Sequence, residues 1–393
     1  MRVAVLQMQC DDTGNKQKNM ETIERLIKEE FNKSSTNTDN HHPELILGPE
    51  CAICGYTYEY KTLWKSAESQ QNSITEQFIC RIALQYKIYF GLSYIEVREI
   101  SNDTENNVVV DDGSDDKYHF LNTFCLAGPN GTIQGRVSKM TPCSVEAYYF
   151  RSPTTSKKNI ISSFNHIIEC KDNNKNTTND DEVPLRIGIL ICYENFIYDS
   201  IKVLQDGPQL DILLQPFSGP LADDQNVHVK ETLRGMYLSV CELNGKYLNC
   251  PTLYCNKVGT WVQPSPSSCM PMTFNTEFPG CSAIYDMKSN EIVGRLSENK
   301  EGILTRNVTL GRRENKSSSS SNDDAQVVVE KIPRYLGGYT NSTPFLKVCI
   351  FYEWLGSYSY KNDPLRKKLA KDTYLGSLSS EVEKKEKGDG VSK

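Results

Sequence analysis

Residues 187–195 read "IGILICYEN": five apolar or glycine positions, then Cys192, a tyrosine and a carboxylate. A short apolar run of this kind is the mark of a strand buried on both faces. A structural cysteine fits anywhere inside such a run. A cysteine at its carboxyl end, where the chain turns polar, sits where a catalytic group is held.

The surrounding sequence repeats that grammar. The strand at 186–192 leads to a helix at 197–205, and "DILLQPF" (211–217) is the next strand. Leu233, Met236, Tyr237 and Val240 form a helical stripe, "KYLNCPTLYCN" (246–256) is a strand region, and "GCSAIYDMKSNEIVGRL" (280–296) is a hairpin. "EGILTRNVTL" closes the pattern at 301–310. The first half has the same plan. "RVAVLQM" (2–8) is a strand, and Ile23, Leu26, Ile27 and Phe31 fall at helical spacing. "ELILGPE" (44–50) is a second strand, and Ile74, Phe78 and Ile82 mark a helix over 74–87. "IYFGLSYIEV" (88–97) follows as a strand, and 118–140 is a hairpin turning at Gly128-Pro129-Asn130-Gly131. Strands alternating with helices in two similar halves predict an α/β fold of two stacked sheets with helices on the outside. The likeness of the halves is architectural, with no repeat at the level of sequence.

The chain has 393 residues, enough for two domains or one large α/β domain with additions. Its formal net charge is −6, with both signs mixed along the chain, which leaves no basic footprint for nucleic acid and no polybasic membrane patch. Small polar or neutral molecules are the expected partners. "MRVAVLQMQC" reads as a first strand, not a signal peptide. No apolar stretch approaches the roughly 20 residues that span a bilayer. The fourteen cysteines are therefore expected as thiols in a reducing, cytoplasmic compartment. The N-x-S/T triplets at Asn176 and Asn341 then reflect composition and not glycans. Polar, low-complexity segments at 32–42, 101–116, 171–182 and 313–324 read as loop insertions or linkers.

A nucleophilic thiol needs a base or a positive neighbour. Of the five histidines, His41 and His42 lie in an insertion, His119 begins a hairpin strand, His166 precedes another insertion and His228 starts a helix. None sits at a motif-like strand end. Two other strand ends carry charged groups: Glu50 after "LILGP" and Lys139 after "GRVS". A carboxylate in a cleft can take the thiol proton, and an ammonium favours thiolate and oxyanion. Either the two converge with Cys192 on one cleft, or they cap strands at the surface.

The segments around these residues resemble the nitrilase superfamily of carbon–nitrogen hydrolases. "LILGPECAICGY" is similar to the segment that carries that family's catalytic glutamate, here Glu50. "GTIQGRVSKMTPCSVE" is similar to its lysine segment, giving Lys139 and a second glutamate at Glu146. "RIGILICYENF" resembles the nucleophile segment, giving Cys192. "NKVGTW" and "GCSAIYD" resemble the family's late strands and "LNTFCLAGPNG" the hairpin before the lysine, so the likeness runs over about 1–310. It implies a four-layer α-β-β-α sandwich without metal or cofactor, and a homodimer or larger homo-oligomer joined through nucleophile-side helices. It also implies a mechanism. Glu50 is the base, Cys192 attacks, and Lys139 with the backbone N–H of Tyr193 holds the oxyanion, while Glu146 aligns Lys139 or the substrate.

Other residues carry two readings. Tyr56 and Tyr58, and Phe217 with Ser218, line the substrate pocket by position, or are core. Cys51 and Cys54 form a C-x-x-C, but no second pair at matching spacing follows, and packed thiols are expected rather than zinc, with Cys250 and Cys255 weighed as partners. Glu194 reads as a local orienter or salt-bridge partner. "CYEN" resembles the nitrilase Cys-Trp-Glu-Asn with tyrosine for tryptophan, whereas "VEAYYFRSP" resembles amidases acting on carbamoylated amines. The resemblance thus points to an amidase, with a nitrilase as the alternative and a catalytically silent binding subunit as the alternative from another class. Residues 311–325 read as a linker. Residues 326–393, rich in aromatics at "TPFLKVCIFYEWLGSY", read as an extension packing on its own sandwich or on a partner, with a frayed end of about 20 residues.

Overall fold

The alternation that marks the strands also decides which layer each side chain meets. In the computed structural model, which describes residues 1–35, 42–57, 59–99, 118–143, 146, 149–150, 153, 166–170, 184–221, 227–264 and 273–311, β1 (Arg2–Gln7) sends Val3 and Val5 one way and Ala4 and Leu6 the other. β2 (Leu45–Leu47) does the same, and Leu45 and Leu47 join Val3 and Val5 in one apolar cluster while Ile46 joins Ala4 in another. A period of two with both faces apolar builds a sheet covered on both sides.

The first sheet has the order β14-β1-β2-β3-β4-β5, with β3 (Tyr89–Glu99), β4 (Tyr118–Ala127), β5 (Ile133–Ser138) and β14 (Gly302–Asn307). β1, β2 and β3 are parallel, and the flanking pairs are antiparallel. The second sheet, β13-β12-β9-β8-β7-β6, has the same plan: β7 (Leu185–Ile189), β8 (Ile212–Pro216) and β9 (Thr252–Cys255) are parallel. β6 (Ile167–Cys170), β12 (Ala283–Asp286) and β13 (Glu291–Arg295) are its antiparallel flanks. Ile187, Ile189, Ile212, Leu214 and Leu253 meet Val3, Val5, Phe124 and Leu126 in the central core. α1 (Lys16–Ser35) and α3 (Ile74–Tyr86) cover the outside of the first sheet, with Ile23, Ile27, Phe78 and Ile82 against Leu6, Ile46 and Phe90. α4 (Tyr198–Asp206) and α5 (Val227–Leu248) cover the second. The result is the four-layer α-β-β-α sandwich expected from the sequence.

Several expectations need correction. The strand expected at 44–50 stops at Leu47 and that at 186–192 stops at Ile189, so Glu50 and Cys192 lie on turns three residues beyond. The strand region at 246–256 starts only at Thr252, because α5 runs to Leu248 with Tyr247 and Leu248 packed on Ile201 and Leu204. Asn249, at φ 47°, ends that helix in the left-handed cap conformation that asparagine tolerates. Ile74 is exposed: the Ser73 hydroxyl caps α3 by accepting from the Glu76 N–H, which places Ile74 in the first turn, facing out. β6, α2 (Tyr60–Ser66) and β11 (Thr273–Pro279) were not foreseen; β11 pairs in a two-stranded ribbon with β10 (Val258–Pro264), which begins within the late strand expected at "NKVGTW". Outside the described residues lie the segments 101–116, 171–182 and 313–324, most of 32–42, Asn176, Asn341, Tyr58, and the linker and extension after 311.

Two glycines in α5 test how tightly the outer layer is fitted. A Cβ on Gly245 would meet the Tyr285 ring at 2.4 Å, whereas one on Gly235 would meet nothing within 4 Å. Gly245→Ala is expected to destabilise by about 1–3 kcal/mol through overpacking. Gly235→Ala is expected to stabilise by about 0.4–1 kcal/mol, by restricting the unfolded chain. Urea denaturation of both variants checks the opposite signs.

Candidate active site

Three ionisable side chains meet in the core where the strands end. Lys139, immediately after β5, places its Nζ 2.8 Å from Glu50 Oε1 and 2.6 Å from Glu146 Oε2, with all three side chains buried. The Asn122 amide, on β4, donates to Glu50 Oε1 at 2.7 Å and to Glu146 Oε1 at 3.4 Å. The Cys143 N–H donates to Glu146 Oε2 at 2.7 Å. Glu50 Oε2 is buried and accepts no hydrogen bond from the described residues. Burial opposes the Lys139 charge, but Glu146 and Glu50 outweigh it and hold the ammonium well above the usual lysine range. Burial pushes the Glu146 carboxyl up, and Glu50 adds to the effect while Lys139 opposes it.

Cys192 faces this group electrostatically. Burial raises its thiol well above the ordinary range; Glu50 and Glu146 raise it further, while Lys139 and the backbone N–H of Ser218 favour the thiolate. The thiol therefore rests protonated. Cys192 opens a 3₁₀ turn (Cys192–Phe196) at φ 51°, a left-handed conformation that costs a non-glycine residue of order 1–3 kcal/mol. The next residues hold it there. The Asn195 amide donates to the carbonyls of Leu190 (2.8 Å) and Cys192 (3.0 Å). The Asn244 amide of α5 donates in turn to Asn195 O and Oδ1, both at 3.2 Å. The Glu194 carboxylate accepts from the N–H groups of Ile191, Met140 and Thr141.

The two sheets are tied together at this point. The Glu50 N–H donates to Phe217 O at 3.2 Å, and the Ser218 hydroxyl donates to Glu50 O at 2.7 Å. Phe217 and Ser218, just past β8, thus adjoin the group through the backbone, with the Phe217 ring packed on Tyr254 and Tyr237. Tyr193 is half-buried beside Cys192. Tyr56 lies apart from these contacts, in an aromatic cluster with Trp261 and Phe278 built by the β10–β11 ribbon. Cys51 and Cys54 are buried in that same apolar cluster, whereas Cys250 and Cys255 belong to two others. Among the described residues no group of three or more His, Cys, Asp or Glu is arranged to hold a metal. His42 stacks on Phe31, His228 lies beside Glu231, and His166 lies 3.9 Å from Glu194.

Sequence reasoning missed Asn122. Its signal was an amide in the inward-facing series 122, 124, 126, where Phe124 and Leu126 are core; a polar group buried there needs polar partners.

Residues 2–316 match the family described as "Carbon-nitrogen hydrolase", and the chain belongs to that family. A carbon–nitrogen hydrolase from Helicobacter pylori G27 is similar in structure, with TM-score 0.57 and 16% identity over 78% of this chain and 88% of that one. An amidase from Nesterenkonia sp. follows at TM-score 0.52 and 15% identity, over 79% of this chain and 90% of that one. A variant of the amidase from Nesterenkonia sp. AN1, carrying acrylamide added at its active-site cysteine, has TM-score 0.52 and 14% identity, over 78% and 93%. At these identities the solved structures support the nitrilase-type fold. No curated protein matches the chain by sequence. No helix among the described residues is long and apolar enough to cross a membrane.

The buried charges set a stability test. Lys139→Met leaves Glu50 and Glu146 with no counter-charge and should destabilise the protein by about 3–5 kcal/mol. Adding Glu146→Gln should recover part of that loss. Urea midpoints of the single and double variants check both.

Proposed function

We propose that this member of the family hydrolyses the carbon–nitrogen bond of a small amide or N-carbamoyl amine through a thioester on Cys192. The observation that carries the reading is the buried Glu50–Lys139–Glu146 group, hydrogen-bonded at 2.8 and 2.6 Å and facing a protonated thiol. In this reading Glu50 takes the Cys192 proton on Oε2, the oxygen that accepts no hydrogen bond from the described residues. The sulfur attacks the substrate carbon. Lys139 and the Tyr193 N–H stabilise the oxyanion, a contribution of about 10²–10³ in rate per donor. Glu50 then protonates the departing ammonia or amine, and afterwards takes a proton from the water that cleaves the thioester. Glu146 keeps Lys139 charged and in line. Tyr56, Phe217 and Ser218 are proposed for the pocket side, Phe217 and Ser218 by their bonds to Glu50.

A reducing, cytoplasmic setting suits a nucleophilic thiol. Two copies are proposed to associate along α4 and α5, which flank the nucleophile turn.

Ammonia release is the first test, using a panel of amides, N-carbamoyl amines and nitriles. Release from amides or carbamoyl compounds that is lost in Cys192→Ala and Glu50→Gln, with unchanged melting temperatures, is the expected result. Release from nitriles alone would replace the proposed bond with a nitrile. Full activity in either variant would remove the mechanism, and silence across the panel would leave a binding subunit as the better account.

A further inference from the structure

Cys192 and Lys139 belong to different sheets. Lys139 follows β5 of the first sheet and Cys192 follows β7 of the second. Their separation is not fixed by any strand ladder. One side chain spans the gap. Glu194 Oε1 accepts from the N–H of Met140 at 2.7 Å and of Thr141 at 3.3 Å, and its Oε2 accepts from the N–H of Ile191 at 2.8 Å. Met140 is the residue after Lys139, and Ile191 is the residue before Cys192. The carboxylate is fully buried.

We infer that Glu194 is a positioning residue whose carboxylate staples the lysine segment to the nucleophile turn, so that replacing it loosens both segments together. The inference rests on the proposed hydrolytic roles of Lys139 and Cys192 for its meaning, but not for its geometry.

All three partners of the carboxylate are donors. An anion satisfies them, whereas a carboxylic acid puts a fourth donor among them and weakens the bond to whichever oxygen holds the proton. Glutamine in its place brings an NH₂ against at least one of the same N–H groups. Two acceptor oxygens are therefore required, not bulk alone. Burial pushes the Glu194 carboxyl up to about 7, against the three N–H groups and Lys139. The ionisable groups facing it among the described residues are Lys139, from the end of β5, and His166, ahead of β6, with Nε2 at 3.9 Å. Burial holds His166 down at about 4, so it is neutral where Glu194 titrates. α5, packed on the same turn, meets it with the neutral amide of Asn244 on Asn195. Burial outweighs those bonds, so the carboxyl binds its proton more tightly buried than exposed, and acid by itself does not open the staple.

The deciding experiment is hydrogen–deuterium exchange of the wild-type chain and of Glu194→Gln at pH 8, read on peptides covering 139–141 and 190–192. Both peptides should exchange about tenfold faster in the variant, the loss of one charge-assisted hydrogen bond. Amide turnover by that variant should show kcat lower by about 10²-fold with KM little changed, the effect of displaced reacting groups. A folded Glu194→Gln chain that keeps the wild-type exchange, or that accelerates in only one peptide, would overturn the staple. If that variant does not fold, Glu194→Asp, which keeps the carboxylate on a shorter arm, is read in the same way. A wild-type chain that hydrolyses nothing on the panel, with the paired acceleration in the variant, would keep the staple and reject the proposed reaction.

Discussion

A single ammonium holds two carboxylates inside the core, and the rest of the site is arranged around that constraint. Charges removed from water are tolerated only with close opposite partners and saturated hydrogen bonds. Lys139 has Glu50 and Glu146 within 2.8 Å, and Asn122 and the Cys143 N–H occupy further lone pairs of the same carboxylates. Glu50, the turn holding Glu146 and the end of β5 must therefore stay in register. A shift of the first sheet against the second would also break the bonds between Glu50 and Phe217–Ser218. The sandwich is thus cross-linked by polar contacts at the end that holds Glu50 and Lys139 and elsewhere by apolar packing.

The electrostatics of this arrangement favour a resting thiol over a resting thiolate. Two carboxylates and burial act on Cys192 against one ammonium and one backbone N–H. In a thiol activated by histidine the ion pair forms before substrate arrives. In the proposed reaction the proton moves in step with attack, which calls for a base whose oxygen is not already engaged. Glu50 divides its two oxygens in that way, one locked by Asn122 and Lys139 and the other without a hydrogen bond from the described residues.

Much of this was legible in the sequence because strand and site follow one rule. Where an apolar alternation ends, a charged or nucleophilic residue stands out, and Glu50, Lys139 and Cys192 were all visible on that ground. The same rule failed where burial did not follow periodicity. Asn122 sits within a strand, so nothing in its neighbours announces it, and only its inward parity separates it from a surface amide. Residues 246–248 look strand-like because they are apolar, yet they finish α5, and the stop signal is Asn249 and not the composition. β11, and with it the β10–β11 ribbon, was missed because it buries only Phe278 and Pro279 and carries no apolar run. Glu146 was legible only through resemblance: it follows no strand, and its backbone is held by its N–H on Cys143 O and by the N–H groups of Tyr149 and Phe150 on its own carbonyl.

A second buried lysine shows why the first is suited to chemistry. Lys257 has its Nζ 3.6 Å from Asp12 Oδ1 and lies over the rings of Tyr56 (5.6 Å) and Phe278 (5.4 Å). Burial opposes its charge, but Cys10, Asp12, Cys51 and Cys54 raise it above the usual lysine range. Its surroundings are largely soft: ring faces and thiols, with one carboxylate at the edge of ion-pair distance. Such a cradle holds a cation in place without ordering its N–H bonds. Lys139, by contrast, has two of its three N–H bonds fixed on carboxylate oxygens, which leaves one donor direction defined by exclusion. An ammonium with a single determined free donor can meet a developing oxyanion without reorganising, and that is the form of preorganisation a buried site can supply. The fold keeps both lysines charged, but only the one held by carboxylates has a direction.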